Sequence, residues 1–166
     1  MRPAAVVKAG TASELERLYR EDGARVWRAV LLWSGDPHVA SDAVAEAFAQ
    51  ALQRGEAIRS PAAWVWRVAF RIAAADLQRR RRLEPIDDGA ADARADPTAA
   101  GDDVLDLMRA LGMLTAKQRA AVVLHHYAGY SRTEVARIID STPSAVGVHL
   151  HRGRRRLRRA LEVDDD

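Results

Sequence analysis

At 166 residues, the chain has the length of one ordinary domain or two small ones. Its 48% apolar and 30% charged residues, with a formal net charge of +3, mark a globular composition and exclude a disordered one. With no cysteine, it cannot carry a disulfide framework, a thiolate zinc site or a cysteine nucleophile.

Only nine residues are aromatic, so Ala, Val, Leu and Ile must fill the cores, a composition that suits helices better than sheets. After a flexible N-terminus (1–12), the spacing predicts a helix from about Ser13 to Trp33. Ser13 and Glu16 have capping-box spacing, and Leu15, Leu18, Tyr19, Val26, Val30 and Trp33 share one face. Asp36-Pro37 opens a second helix to about Arg54, with Val39, Ala43, Val44, Ala47, Phe48 and Leu52 on its core side. A loop covers 55–59, and Ser60-Pro61 opens a third helix through Arg82. In that helix Trp64, Val68 and Ile72 form a core face, whereas Arg67, Arg71, Gln78 and Arg82 recur on another side beside Trp66 and Phe70. Residues 83–101 hold two Pro, two Gly and no apolar periodicity, and read as a linker. Helical pattern then returns over about 102–111, 115–128, 131–139 and 142–160, ahead of an acidic tail at 162–166. The expected fold is all-α: a three-helix unit (13–82) and a helix-turn-helix unit (102–161) joined by a flexible acidic linker.

Charge divides the chain in the same way. Residues 1–82 carry net +5, 83–106 net −7, 107–163 net +8 and the last three −3. The basic side is made of 24 Arg against 2 Lys. Arginine is suited to bidentate phosphate and base-edge contacts, which makes nucleic acid the first partner to consider.

Residues 131–146, from the Ser131/Glu134 capping box through Thr142-Pro143, have the pattern of a helix, a tight turn and a second helix. Val146, Leu150, Gly153 and Leu157 form the inner stripe of that second helix. Its N-terminal part would enter the major groove, where Ser144, Gly147, Val148, His151 and Arg152 can reach base edges. Arg154, Arg155, Arg158 and Arg159 can hold phosphates; alternatively, this arginine run is a solvated helix end. In the third helix, arginines interleaved with Trp66 and Phe70 can serve unstacked single-stranded bases, or the two rings can cover a neighbouring helix.

With these motifs in place, the chain resembles the extracytoplasmic-function sigma factors of bacterial RNA polymerase. The resemblance extends from Ser13 to Leu161. Gly35-Asp36-Pro37 followed by Asp42-x-Val44-x-Glu46-x-Phe48 is similar to the signature of sigma region 2, and residues 60–69 to the promoter-melting helix. Leu114 to Arg119, Tyr127 to Ser131, Glu134 to Ala136, Ala145-Val146 and His151 to Arg154 are similar to region 4. The resemblance implies that Asp42, Glu46, Ala49 and Gln50 meet the clamp helices of the largest polymerase subunit. It also implies that Arg54, Arg59, Trp66, Arg67, Phe70, Arg71 and Gln78 engage the melted −10 element, the loop from Arg54 to Ser60 receiving a flipped base. The recognition helix would read the −35 element as duplex, and the acidic linker would imitate nucleic acid in a basic channel of the polymerase. Where the family commonly shows Lys-Ser-Arg, this chain has Gly147-Val148-His149, leaving Val148 able to contact a thymine methyl.

Core RNA polymerase, promoter DNA (double-stranded and melted) and a possible anti-sigma factor are therefore the expected partners. A stand-alone helix-turn-helix regulator is the alternative, and it leaves the Asp42/Glu46 stripe without a purpose. No enzymatic activity, catalytic residue, metal or cofactor is expected: His125/His126 and His149/His151 lack the i, i+4 spacing of a ligand pair, and no phosphate loop or nucleophile elbow occurs. The apolar run Ala4 to Val7 is too short for a signal peptide, and no stretch approaches the roughly 20 apolar residues of a membrane span. The expectation is a cytoplasmic protein without membrane insertion.

Overall fold

The computed structural model describes residues 9–83 and 102–163. The expected linker, apart from Leu83, lies outside these residues, as do residues 1–8 and 164–166. Helix α1 spans Ala9–Ser34, α2 Pro37–Arg54 and α3 Pro61–Leu83, with a single 3-10 turn at Gly55–Ala57. The second group comprises α4 (Asp102–Gly112), α5 (Ala116–Val122), α6 (Arg132–Ile138) and α7 (Pro143–Val163). Helix α1 begins four residues before the expected start, because Ala9, Thr11 and Ala12 offer no break. Ser13 thus lies inside the helix and not at its cap.

The turn from α1 to α2 is built by local chemistry. Gly35 takes a φ of 73° and donates to Leu31 O at 2.8 Å, ending α1. Asp36 then accepts from the backbone N–H of His38 at 2.8 Å and of Val39 at 3.3 Å, and Pro37 has no N–H to satisfy. Its other carboxylate oxygen takes Arg80 from α3 at 2.8 Å, so one side chain caps α2 and anchors the end of the third helix. Alanines 29, 40, 43, 47, 51, 69 and 73 are fully buried, which lets the three helices approach closely around Val26, Val30, Val39 and Val65. Tyr19, expected in this core, is 57% exposed and lies edge-on over Phe48 at 5.1 Å, and Leu52 is also exposed. Tyr19 covers Phe48 from the solvent side and is not enclosed by it.

Capping also shapes the second group. Thr115 with Gln118, and Ser131 with Glu134, form reciprocal capping boxes on α5 and α6, while Thr142 Oγ1 accepts from Ala145 N to start α7. The helix expected over 115–128 runs from Ala116 to Tyr127 but does not keep α winding throughout. After Val122 it widens into a π turn, Val123–Tyr127, closed by Ala128 N–H to Val123 O and Tyr130 N–H to Leu124 O. On α7, a Cβ at Gly153 would stand 2.9 Å from Val122 Cγ2 and 3.1 Å from Leu114 Cδ2, so the bare backbone there lets α7 lie flat on α5.

The two groups share one continuous core. Arg119, 8% exposed, donates from Nη1 to Trp33 O at 2.8 Å and from Nη2 to Leu114 O at 3.1 Å and Gly112 O at 3.3 Å. In return, Trp33 Nε1 donates to Ala116 O at 3.0 Å. Arg25 Nη2 reaches Ala128 O at 2.8 Å, a carbonyl the π turn brings forward. Between these two ties runs a line of rings from one group to the other: Trp33 to Phe70 (5.6 Å), Phe70 to Trp66 (6.5 Å) and Trp66 to Tyr130 (5.4 Å, edge-on).

Truncating Arg119 leaves three inward-facing carbonyls without their charged donor. Arg119→Ala is expected to cost roughly 3 kcal/mol and to lower Tm in a calorimetric scan by about 10 °C. An unchanged Tm would mean that water replaces the guanidinium at no cost.

Candidate nucleic-acid interface

Helix α7 presents the most concentrated positive surface. Ser144, Val148, His151, Arg152, Arg154 and Arg155 are exposed, and Gly147 is half-buried. Ser144, Val148, His151 and Arg155 follow the i, i+4, i+7, i+11 stripe that puts them on one side of the helix. Val146 and Leu150 face inward against α5 and α6. Arg156 leaves this surface and donates to Gln118 Oε1 at 3.1 Å, whereas Arg152, Arg154, Arg155, Arg158 and Arg159 have no carboxylate partner among the described residues. This positive field suits an anion, and no carboxylate among the described residues neutralises it.

A second basic site lies between the end of α2 and α3. A shallow groove of about 350 Å³ is lined by Gln50, Arg54, Trp64, Arg67 and Arg71. Arg54 stacks over the Trp64 ring at 5.7 Å from its centroid, and Arg67 Nε is buried with no hydrogen-bond partner among the described residues. Arg59 and Gln78 are exposed on the flanking turn and on α3.

Trp66 and Phe70 are placed elsewhere. They are 2% and 4% exposed, within the line of rings between the two groups. Trp66 Nε1 donates to Asp22 Oδ2 at 2.7 Å, and Arg25 lies over its ring at 5.9 Å. Of the two readings open in the sequence, the structure shows the packing one, while Trp64, expected in the core, is half-buried beneath Arg54.

The acidic stripe lies farther toward the start of α2 along the same seam with α3, and Gln50 belongs to both the stripe and the basic groove. Asp42, Glu46 and Ala49 are exposed and Gln50 half-exposed, with Gln50 Nε2 donating to Glu46 Oε1 at 2.7 Å. They border a groove of about 520 Å³ whose far wall carries Asp76 and Arg79 of α3. Asp76 is ion-paired with both Arg79 and Arg80, but Asp42 and Glu46 have no cationic partner among the described residues. Sequence reading missed the role of Arg25, Arg119 and Tyr130 in joining the two groups, since partners as far as 86 and 103 residues away leave no local signal.

Three titrating groups reflect these surroundings. Burial, reinforced by Asp22 and Glu134, pushes the Tyr130 phenol up to about 12, so it stays neutral against Trp66. Burial lowers His126, helped by His125 and Arg154, and burial lowers His149, helped by Lys117 and Arg152. His125 Nδ1 lies 2.7 Å from Tyr130 O.

A helix-turn-helix with an unpaired arginine face, packed on a three-helix unit with its own basic groove, defines a DNA-binding protein of the transcription apparatus. Residues 105–157 match the family "Sigma-70, region 4". The chain is 30% identical to the ECF RNA polymerase sigma factor SigL of Mycobacterium tuberculosis, over 93% of its own length and 92% of that protein. It is 35% identical to the RNA polymerase sigma-E factor of Streptomyces antibioticus, over 78% and 74% of the two chains. Its fold is similar to that of the sigma factor RpoE in a complex with the anti-sigma factor NepR from Bartonella quintana (TM-score 0.76, 20% identity, 92% and 99% covered). It is also similar to CnrH in complex with the cytosolic domain of CnrY (TM-score 0.70, 20% identity, 97% and 96% covered). The chain belongs to the ECF sigma factors, which bind core RNA polymerase and direct promoter-specific initiation of transcription. Among the described residues no helix is long and apolar enough to cross a membrane.

His126 and His149 are held below their ordinary value of 6.5 in the folded chain, so the unfolded chain takes up protons first as pH falls. Stability is expected to decline below about pH 6.5, and His126→Gln with His149→Gln to reduce that decline in a Tm-against-pH series. Superimposable curves for parent and variant would contradict this origin.

Proposed function

We propose that the two groups of helices divide the work of a sigma factor according to their charge. Asp42 and Glu46, with Ala49 and Gln50, form the contact for the clamp helices of the largest polymerase subunit. Arg54, Arg59, Arg67, Arg71 and Gln78 follow the backbone and bases of the melted −10 element. On α7, Ser144, Gly147, Val148, His151 and Arg152 face base edges of the −35 duplex, while Arg154 and Arg155 hold its phosphates. The observation that carries this reading is the separation of charge along the α2–α3 seam: Asp42 and Glu46 toward the start of α2, Arg54, Arg67 and Arg71 at the other end, with a further set of arginines along α7.

Trp66 joins the −10 contact only after the two groups part, because Tyr130 of the second group now covers it, whereas Phe70 is covered by Trp33 of its own three-helix unit. The described arrangement is thus the closed form of the protein, and engagement of polymerase or DNA opens it. An inhibitor of the anti-sigma class is a further partner consistent with this form, since the sigma factor RpoE, of similar fold, was solved in complex with the anti-sigma factor NepR. The protein works in the cytoplasm beside the polymerase, which performs the chemistry.

Asp42→Arg with Glu46→Arg is expected to abolish association with core polymerase in a co-purification assay. Arg152→Ala and Arg155→Ala should leave that association intact and weaken promoter binding by about tenfold or more. Arg155→Ala should also reduce the salt slope by about 0.9, for the phosphate that is no longer neutralised. Failure of the arginine variants to associate with polymerase would overturn the division. Tyr130→Ala with Arg25→Ala should increase the radius of gyration in solution scattering and raise affinity for a single-stranded −10 oligonucleotide. A compact variant with parental affinity would refute the opening step.

A further inference from the structure

Gly147 leaves a gap on the recognition helix, and a side chain from another helix occupies it. A Cβ built on Gly147 would lie 3.4 Å from Nη1 of Arg132, the first residue of α6. The Arg132 guanidinium therefore rests on the bare backbone of α7, at the position from which a residue 147 side chain would project. Arg132 is exposed and has no hydrogen bond or ion pair among the described residues, so its donors are uncommitted. Gly147 lies one helical turn beyond Ser144 and beside Val148, within the N-terminal part of α7 that a helix-turn-helix inserts into the major groove.

We infer that Arg132 is a base-reading residue, delivered from α6 across Gly147 to a guanine in the upstream promoter element. The guanidinium fork matches the O6 and N7 acceptors of guanine, the commonest specific arginine contact in the major groove. Two residues 15 positions apart thus act as one reader: Arg132 supplies the donors and Gly147 supplies the room. This inference rests on the reading of α7 as the duplex-binding helix.

The test uses holoenzyme reconstituted from the full chain and core polymerase, and promoter fragments randomised over the upstream element, with bound fragments sequenced. The parent is expected to prefer G·C at one position. Arg132→Ala should weaken that preference by about tenfold or more while the preferences at other positions and Tm stay unchanged. Gly147→Leu should produce the same effect at the same position, because its side chain takes the place of the guanidinium. An unaltered profile for Arg132→Ala would overturn the inference, as would a uniform weakening across all sequences, which marks a phosphate contact. A parent holoenzyme with no sequence preference in this element would overturn the α7 reading itself, and the inference with it.

Discussion

The buried guanidinium of Arg119 is the contact on which the arrangement of the molecule depends. The end of α1 leaves Trp33 O unpaired within its own helix, and the turn before α5 leaves Gly112 and Leu114 carbonyls pointing inward. One planar cation satisfies all three. A neutral donor could satisfy them singly, but the fork of an arginine fixes the angle at which α5 meets α1. With that angle set, Trp33 can return its own N–H to Ala116 O, and the line of rings from Trp33 to Tyr130 closes behind it. Desolvating a charge is costly, and it is tolerated here because the acceptors are strong and already present.

The same geometry sets the relation between stability and activity. Trp66 packs edge-on against Tyr130 across the junction, so the proposed opening would give up packing that polymerase or DNA would have to replace. Two kinds of contact hold the closed form. Arg119 makes buried bonds to Trp33 O and Leu114 O, whereas Arg25 bridges Asp22, the Trp66 ring and Ala128 O from a partly exposed position. The exposed tie is weaker and more sensitive to salt, which makes the Trp66 end the natural place for separation to start.

Much of the fold was legible because its punctuation is local. Asp36-Pro37, Ser131/Glu134 and Thr142-Pro143 each place a cap beside the backbone groups it satisfies, and all three mark helix starts in the structure. The choice between Trp64 and Trp66 as the buried ring was not legible. Periodicity assigns residues to faces of α3, but α6, which covers one of those faces, lies some sixty residues away in the chain. The π turn was hidden for a related reason. Its shifted register brings Ala128 O to Arg25, 103 residues earlier, and leaves the apolar pattern of α5 unchanged. At the candidate interfaces, the exposed α2 and α7 residues were readable as stripes. Arg132 was not, because its position matters only through the absence of a side chain at Gly147.

The indole rings divide in a way that gives the protein an optical property. Trp33 and Trp66 are buried in the junction, with their N–H groups fixed on a carbonyl and a carboxylate, whereas Trp27 and Trp64 are half-buried on the three-helix unit. Indole emission follows the polarity and hydrogen bonding around the ring, so half of the chromophores sit where the two groups of helices meet. Intrinsic fluorescence thus records the state of that junction in the unlabelled protein, and Trp27 and Trp64 supply a reference within the same chain.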